Sequence, residues 1–256
     1  MYLIGDIGNS EIKICLVNSK KKIIKRINFT SKSISLKKIK KNFKTLNQDY
    51  LYINKILFCS VVPKIFKLIK NFLKTKTKLR CFEIKNLDLS SFLNIKVNYN
   101  QVGSDRIANS ISLVKAKKNF IIIDLGTATT FDVLVGKNYV GGIIAPGIKI
   151  SLNTLSDNAT LIPKIDLKKI KKVIGIDTKS AVRSGFFWGY AGLIDKIIYL
   201  IKKETKKSFK VIITGGFSKL IKKPIYIKVT EDKNITLKGL IKTLELIKWK
   251  KNYFFV

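Results

Sequence analysis

Four short segments carry the residue types and spacings that phosphate and cation chemistry require. Asp6-Ile7-Gly8-Asn9-Ser10 and Asp124-Leu125-Gly126-Thr127 each set a carboxylate two residues before a glycine and follow it with amide or hydroxyl side chains. In a tight turn such a stretch exposes successive backbone N–H groups, and the glycine lets the chain approach a polyphosphate closely. Gly103-Ser104-Asp105-Arg106 adds a carboxylate beside a guanidinium, just before an apolar stripe at helical spacing. Thr214-Gly215-Gly216 follows the apolar run Val211-Ile212-Ile213, so its glycines fall at the carboxyl end of an expected strand, where α/β sheets place ligands. One Asp-x-Gly turn is commonplace in hairpins. Two such turns with a third glycine turn suit one nucleotide held by its phosphates and their cation.

The elements that must carry these loops are legible around them. Tyr2 to Val17 reads as strand, turn, strand, with Ile12, Ile14 and Leu16 alternating after the turn, and Ile121 to Val135 repeats the pattern around Asp124. Asp6 and Asp124 lie 118 residues apart. That period predicts an internal duplication into two α/β halves, residues 1–118 and 119–256, with a nucleotide cleft between them. Ile56 to Val62 predicts a buried strand, with Pro63 opening an amphipathic helix on Ile65, Phe66, Leu68 and Ile69. The stripe Ile107, Ala108, Ile111, Val114 and Ala116 predicts a helix running to Lys118 with Asp105 in its first turn, where the helix dipole is expected to lower the carboxyl pKa. Ser180 to Leu200 predicts a long helix in which Gly185 and Gly189 flank Phe186, Phe187 and Trp188.

Composition removes whole classes of chemistry. The 256 residues contain no histidine, which excludes His-based acid/base catalysis, Ser-His-Asp and Cys-His nucleophiles, and imidazole metal sites. Cys15, Cys59 and Cys81 are odd in number and lack a C-x-x-C, as expected of a protein in a reducing cytoplasm. No basic and apolar leader opens the sequence and no run approaches the roughly 18 apolar residues of a membrane span, so a soluble protein is expected. The net charge of +35 invites a nucleic-acid reading. Yet 47 of the 51 basic residues are lysine, whereas base and phosphate recognition favours the planar guanidinium, and isoleucine is equally inflated at 41 residues. Lys and Ile rising together fit A+T-rich coding drift, which argues against nucleic acid as the partner. Only Lys137 and Lys149 occur between Asn119 and Pro163.

Five motifs in order, Asp6-Ile7-Gly8-Asn9-Ser10, Gly103-Ser104-Asp105-Arg106, Asp124-Leu125-Gly126-Thr127-Ala128-Thr129-Thr130-Phe131-Asp132, Gly141-Gly142-Ile143-Ile144-Ala145-Pro146-Gly147 and Ile235-Thr236-Leu237-Lys238-Gly239-Leu240, resemble those of type III pantothenate kinases. These belong to the superfamily of actin, sugar kinases and heat-shock chaperones. The resemblance implies a duplicated ribonuclease-H-like (actin-like ATPase) fold and ATP-dependent phosphorylation of pantothenate, the first step of coenzyme A biosynthesis. It implies that the loop Asp6, Ile7, Gly8, Asn9, Ser10, Glu11, Ile12 and Lys13 binds ATP phosphates, with Asp6 near Mg²⁺ and Ser10 in place of the usual threonine. Thr127 would touch ATP, and Asp124 would ligate a monovalent cation, K⁺ or NH₄⁺. Gly103, Ser104 and Arg106 would cradle pantothenate while Asp105 accepts the hydroxyl proton.

Thr178 would reach the pantothenate pocket of the partner in a homodimer with a shared active site, for which the long aromatic helix is the candidate interface. The family's pocket tyrosine precedes a proline here replaced: either Tyr99 takes the place, or the aligned position is Val97. Two other readings share parts of this pattern, a non-catalytic DNA-associated accessory regulator and a kinase for another small hydroxy acid.

Overall fold

The computed structural model describes residues 1–115 and 117–247. The chain forms two units, one comprising Met1–Asn94, Asn98–Leu113 and Ile235–Val256, the other Ile95–Val97 and Val114–Asn234.

In the first unit, β1 (Tyr2–Ile7), β2 (Glu11–Val17) and β3 (Ile23–Thr30) form an antiparallel meander. β4 (Lys55–Ser60) and β5 (Cys81–Glu83) then add parallel to β1, giving the order β3-β2-β1-β4-β5. The alternation seen in the sequence is the burial pattern: Ile12, Ile14 and Leu16 are fully buried together with Leu3, Ile7, Ile56 and Phe58. Helix α1 (Leu36–Phe43) seals this core with Ile39 and Phe43. Helix α2 (Pro63–Thr77) starts at Pro63, whose missing N–H falls where a helix needs none, and ends where Lys78 turns left-handed at φ 55°. Its buried face is Ile65, Ile69, Phe72 and Leu73, while Leu68, expected inside, is exposed.

Helix α3 (Ser104–Leu113) is shorter than the predicted run to Lys118. Lys115 and Lys118 instead form a β-bridge that opens the second unit, and Ala116 lies outside the described residues. Against α3 packs α7 (Ile235–Thr243), so the C-terminal segment belongs to the first unit and the units do not follow the single cut after residue 118. The reason is a close backbone approach: a Cβ on Gly239 would lie 1.8 Å from Ala108 O. Thr236 Oγ1 donates to Asn109 Oδ1 at 2.8 Å across the same contact. Gly239→Ala is therefore expected to destabilise the protein by about 1–3 kcal/mol, as overpacking of a buried contact does. Thermal denaturation checks this, and an unchanged midpoint would contradict so close an approach.

The second unit repeats the pattern. Strands β7 (Asn119–Leu125), β8 (Ala128–Val135) and β9 (Asn138–Pro146) form a meander, with β10 (Lys210–Thr214) and β11 (Val229–Glu231) parallel to β7. The order is β11-β10-β7-β8-β9, with the short β6 (Asn94–Ile95) at the edge beside β9. Helix α4 (Ile148–Asn158) follows the meander, and α5 (Thr178–Thr205) covers the sheet with Phe187, Ala191, Ile194, Ile198 and Ile201. The side chains of Asp177 and Ser180 form a capping box that fixes the start of α5. A short α6 (Ser218–Ile221) follows Gly215-Gly216. Lys168 to Lys172 lies in irregular chain.

Candidate active site

Asp6 is the penultimate residue of β1, paired with Lys13 on β2 and Cys59 on β4. Its side chain is 14% exposed, and Lys13 Nζ stands 3.9 Å from Oδ2 and 3.6 Å from Glu11 Oε2. The Cys59 thiol donates to Asp6 Oδ1 at 3.5 Å. Burial pushes the Asp6 pKa up to about 6; Lys13 pulls against that, and the Asp105 carboxylate adds to it. Two carboxylates near enough to repel one another are the configuration that a cation relieves. In the loop, Ser31 Oγ donates to Gly8 O at 2.6 Å and Ser31 N to Ser10 O at 3.1 Å. Both carbonyls are thus held by the chain after β3, while Asn9, Ser10 and Glu11 stay exposed at the tip. Ile7 and Ile12, by contrast, are wholly buried and serve the sheet.

Asp105 stands in the first turn of α3, half-buried, with Oδ1 accepting from Arg106 N at 2.8 Å. Its pKa is raised rather than lowered: burial outweighs the Arg106 amide and the Arg106 guanidinium, which act the other way. The dipole rule applied to the sequence missed this because it carries no information on desolvation. Gly103 admits the carboxylate, since a Cβ there would stand 2.6 Å from Asp105 Oδ1. Ser104 is buried and clasps the end of β4, donating to Ser60 O at 2.8 Å and accepting from Ser60 N at 3.3 Å. A cavity of about 490 Å³ adjoins this clasp at the carboxyl ends of β4 and β5. Glu83 on its wall accepts from Lys85 N at 2.7 Å, and burial raises its pKa. Tyr99 does not line the cavity; its hydroxyl donates to Lys85 O at 2.8 Å.

In the second unit Asp124 is the penultimate residue of β7, beside the exposed Gly126-Thr127 turn. Three glycines build that turn. Gly215, at φ +92°, would bring a Cβ within 2.6 Å of Asp124 Oδ1 and 2.5 Å of Leu125 O; one on Gly147 would lie 1.9 Å from Thr127 O; one on Gly126 would lie 3.3 Å from Asp124 Oδ1. Backbone after β10 thus approaches the Asp124 carboxylate, and backbone at the start of α4 the Gly126-Thr127 turn, as closely as only glycine allows. Asp132, the second carboxylate of this motif, is fully buried and accepts from the Tyr139 hydroxyl at 2.6 Å, a role inside the sheet. Thr178 is exposed at the first position of α5.

The family model for type III pantothenate kinase matches residues 2–199. A type III pantothenate kinase of Pelagibacter ubique is 59% identical over 248 residues, covering 97% of this chain and all of its own. The chain belongs to the type III pantothenate kinase family. Among solved structures, a Sinorhizobium meliloti protein assigned as a 2-dehydro-3-deoxygalactonokinase superposes with a TM-score of 0.59 at 10% identity, covering 97% of this chain and 100% of its own. A Campylobacter jejuni protein assigned to the Baf family of transcriptional activators gives 0.54 at 21% identity, over 95% and 97%. Both likenesses speak to the fold, an α/β sugar-kinase-like architecture of two domains.

For this pantothenate kinase, the first unit brings Asp6, Lys13, Gly103, Asp105 and Arg106 into one neighbourhood, and the second assembles Asp124 and Thr127. Among the described residues no three Asp, Glu or Cys side chains cluster as a metal cage. Sequence reasoning missed Ser31, Cys59, Ser60 and Glu83. Ser60 and Cys59 carried a usable signal, for they end the strand that leads into Pro63; Ser31 and Glu83 carried none, because their partners are distant in sequence.

Proposed function

We propose that ATP-dependent phosphorylation of pantothenate, the activity that membership of this family gives the chain, takes place at Asp105, with the Asp6 to Lys13 loop receiving phosphates. The observation that carries this is the placement in one unit of Asp105, held by Arg106 N at 2.8 Å in the space that Gly103 leaves, and of Asp6, with Lys13 Nζ 3.9 Å from it. Asp105, fixed by the Arg106 amide, orients the pantothenate hydroxyl and accepts its proton as phosphoryl transfer proceeds. A raised pKa makes it a better acceptor than a surface carboxylate. In a loose transition state the proton leaves late, so in-line orientation outweighs basicity. Asp6 would hold Mg²⁺, which when bound neutralises charge on the transferring phosphates. Lys13 and the loop amides add positive potential on the same side.

Asp124 would hold the monovalent cation, K⁺ or NH₄⁺, the hard ion that an oxygen donor set suits. Its support is the glycine-built cradle of Gly126, Gly147 and Gly215. Thr127, exposed in that turn, would contact ATP. The matching order and directions of the two sheets favour a duplicated ribonuclease-H-like fold. A homodimer is favoured by Gly185, Gly189 and Gly192 of α5, where an added Cβ would meet open space, and by exposed Val173, Ile174 and Ile176 just before Thr178. Thr178 would then serve the partner's pantothenate pocket. Three free, buried cysteines suit the cytoplasm, and no helix among the described residues is long and apolar enough to cross a membrane.

The test is ADP release by purified protein with MgATP, with and without pantothenate, in potassium and then in sodium buffer. Pantothenate-dependent release several-fold faster in potassium is expected. Equal rates in the two buffers would remove the cation from Asp124, and no dependence on pantothenate in either would overturn the assignment.

A further inference from the structure

Lys85 differs from the solvated lysines around it in being fixed at both ends. It lies in a single helical turn (Ile84–Asn86) directly after β5. Its backbone N–H donates to Glu83 Oε2 at 2.7 Å and its carbonyl accepts from the Tyr99 hydroxyl at 2.8 Å. Its ammonium donates to Asn100 O at 3.1 Å and stands 5.2 Å from the centre of the Tyr99 ring. Glu83 is a carboxylate that feels its charge, yet Lys85 forms no salt bridge among the described residues. An ammonium pre-positioned in this way needs little further ordering to meet an anion.

Lys85 lines the 490 Å³ cavity together with Gly103 and Ser104. The volume lies within the range usual for small-molecule pockets. Val61 and Phe66 give it an apolar side; Asn100 and Gln101 give it amide-bearing residues. Pantothenate has matching parts in order: a reacting hydroxyl, a gem-dimethyl carbon, an amide, and a carboxylate at the far end. With the hydroxyl at Asp105, the carboxylate lies a full substrate length away. Arg106, whose guanidinium acts on Asp105 itself, stays at the reacting end.

We propose that this cavity receives the amide and carboxylate arm of pantothenate and that Lys85 Nζ meets the carboxylate, making Lys85 the residue that selects acids over neutral analogues. This rests on the assignment of Asp105 to the hydroxyl end. Tyr99 and Glu83 act as positioning residues that hold Lys85.

The experiment compares pantothenate with pantothenol, in which CH₂OH replaces the carboxylate, measuring KM for the first and a competitive inhibition constant for the second. Lys85→Gln is expected to raise KM for pantothenate about tenfold, as loss of a hydrogen bond to a charged group does. The same variant should hold the pantothenol constant within twofold, so that discrimination collapses, and Lys85→Arg should keep most of it. A Lys85→Gln enzyme that discriminates as the wild type does overturns the proposal, as does a Lys85→Arg enzyme that loses discrimination equally. Failure of the underlying assignment would look different: Asp105→Asn would retain turnover in the wild-type background, whatever Lys85 does.

Discussion

Asp105→Asn is expected to lower pantothenate-dependent ADP release about a thousandfold, within the range that removal of a positioned general acid or base produces. ATP binding should stay near the wild-type value. The two side chains are isosteric, and an asparagine carbonyl can still accept the hydrogen bond that Arg106 N gives Asp105 Oδ1 at 2.8 Å. What is lost is the capacity to take the hydroxyl proton and the negative charge that orients it. Folding should not suffer. The Asp105 pKa is raised by burial, so the ionised carboxylate opposes the folded state at neutral pH, and neutral asparagine removes that opposition. A variant equal to or above the wild type in thermal midpoint but almost inactive would show a site kept at the expense of stability. Single-turnover release within tenfold of the wild type would remove Asp105 from its role, and a variant that melts early would contradict the burial argument.

The two hairpins were legible because local pattern determines them: apolar alternation fixes which face is buried, and a one-residue slip would expose Ile12, Ile14 and Leu16 together. The carboxylates at their turns were found for the same reason. The return of α7 to the first unit was not legible, since Gly239 has meaning only against Ala108, and nothing in the run around it says which surface it approaches. Helix α3 was overextended because Val114 and Ala116 continue the apolar stripe, although the chain leaves the helix at Leu113 to build a bridge. Lys85 was hidden in a different way. Among 47 lysines no local feature marks it, and its distinction comes from Asn100 and Tyr99 folding back onto it. Tyr99 is expected from the resemblance to contact substrate, and its hydroxyl donates to Lys85 O.

Asp6 supplies the steepest dependence on pH. With its pKa near 6 in the nucleotide-free protein, kcat/KM for MgATP is expected to fall about tenfold per pH unit below that value, because a protonated Asp6 neither attracts the cation nor the loop's phosphates with it. Stability runs the opposite way. The folded pKa lies above the unfolded one, so the stability this group contributes is fully present below the ordinary value of 3.8 and is lost as pH rises through about 6. The span corresponds to about 3 kcal/mol at most. Asp6→Asn should therefore melt higher than the wild type at pH 7.5, with the difference about halved at pH 5, while its activity falls by about a hundredfold or more at either pH. Saturating MgATP should shrink the stability difference at pH 7.5, because the bound cation compensates the buried charge that destabilises the empty site. Activity that is flat from pH 7 to pH 5, with no difference in melting between the two proteins at pH 7.5, would mean that Asp6 is solvated in the working enzyme and that the cation is held elsewhere.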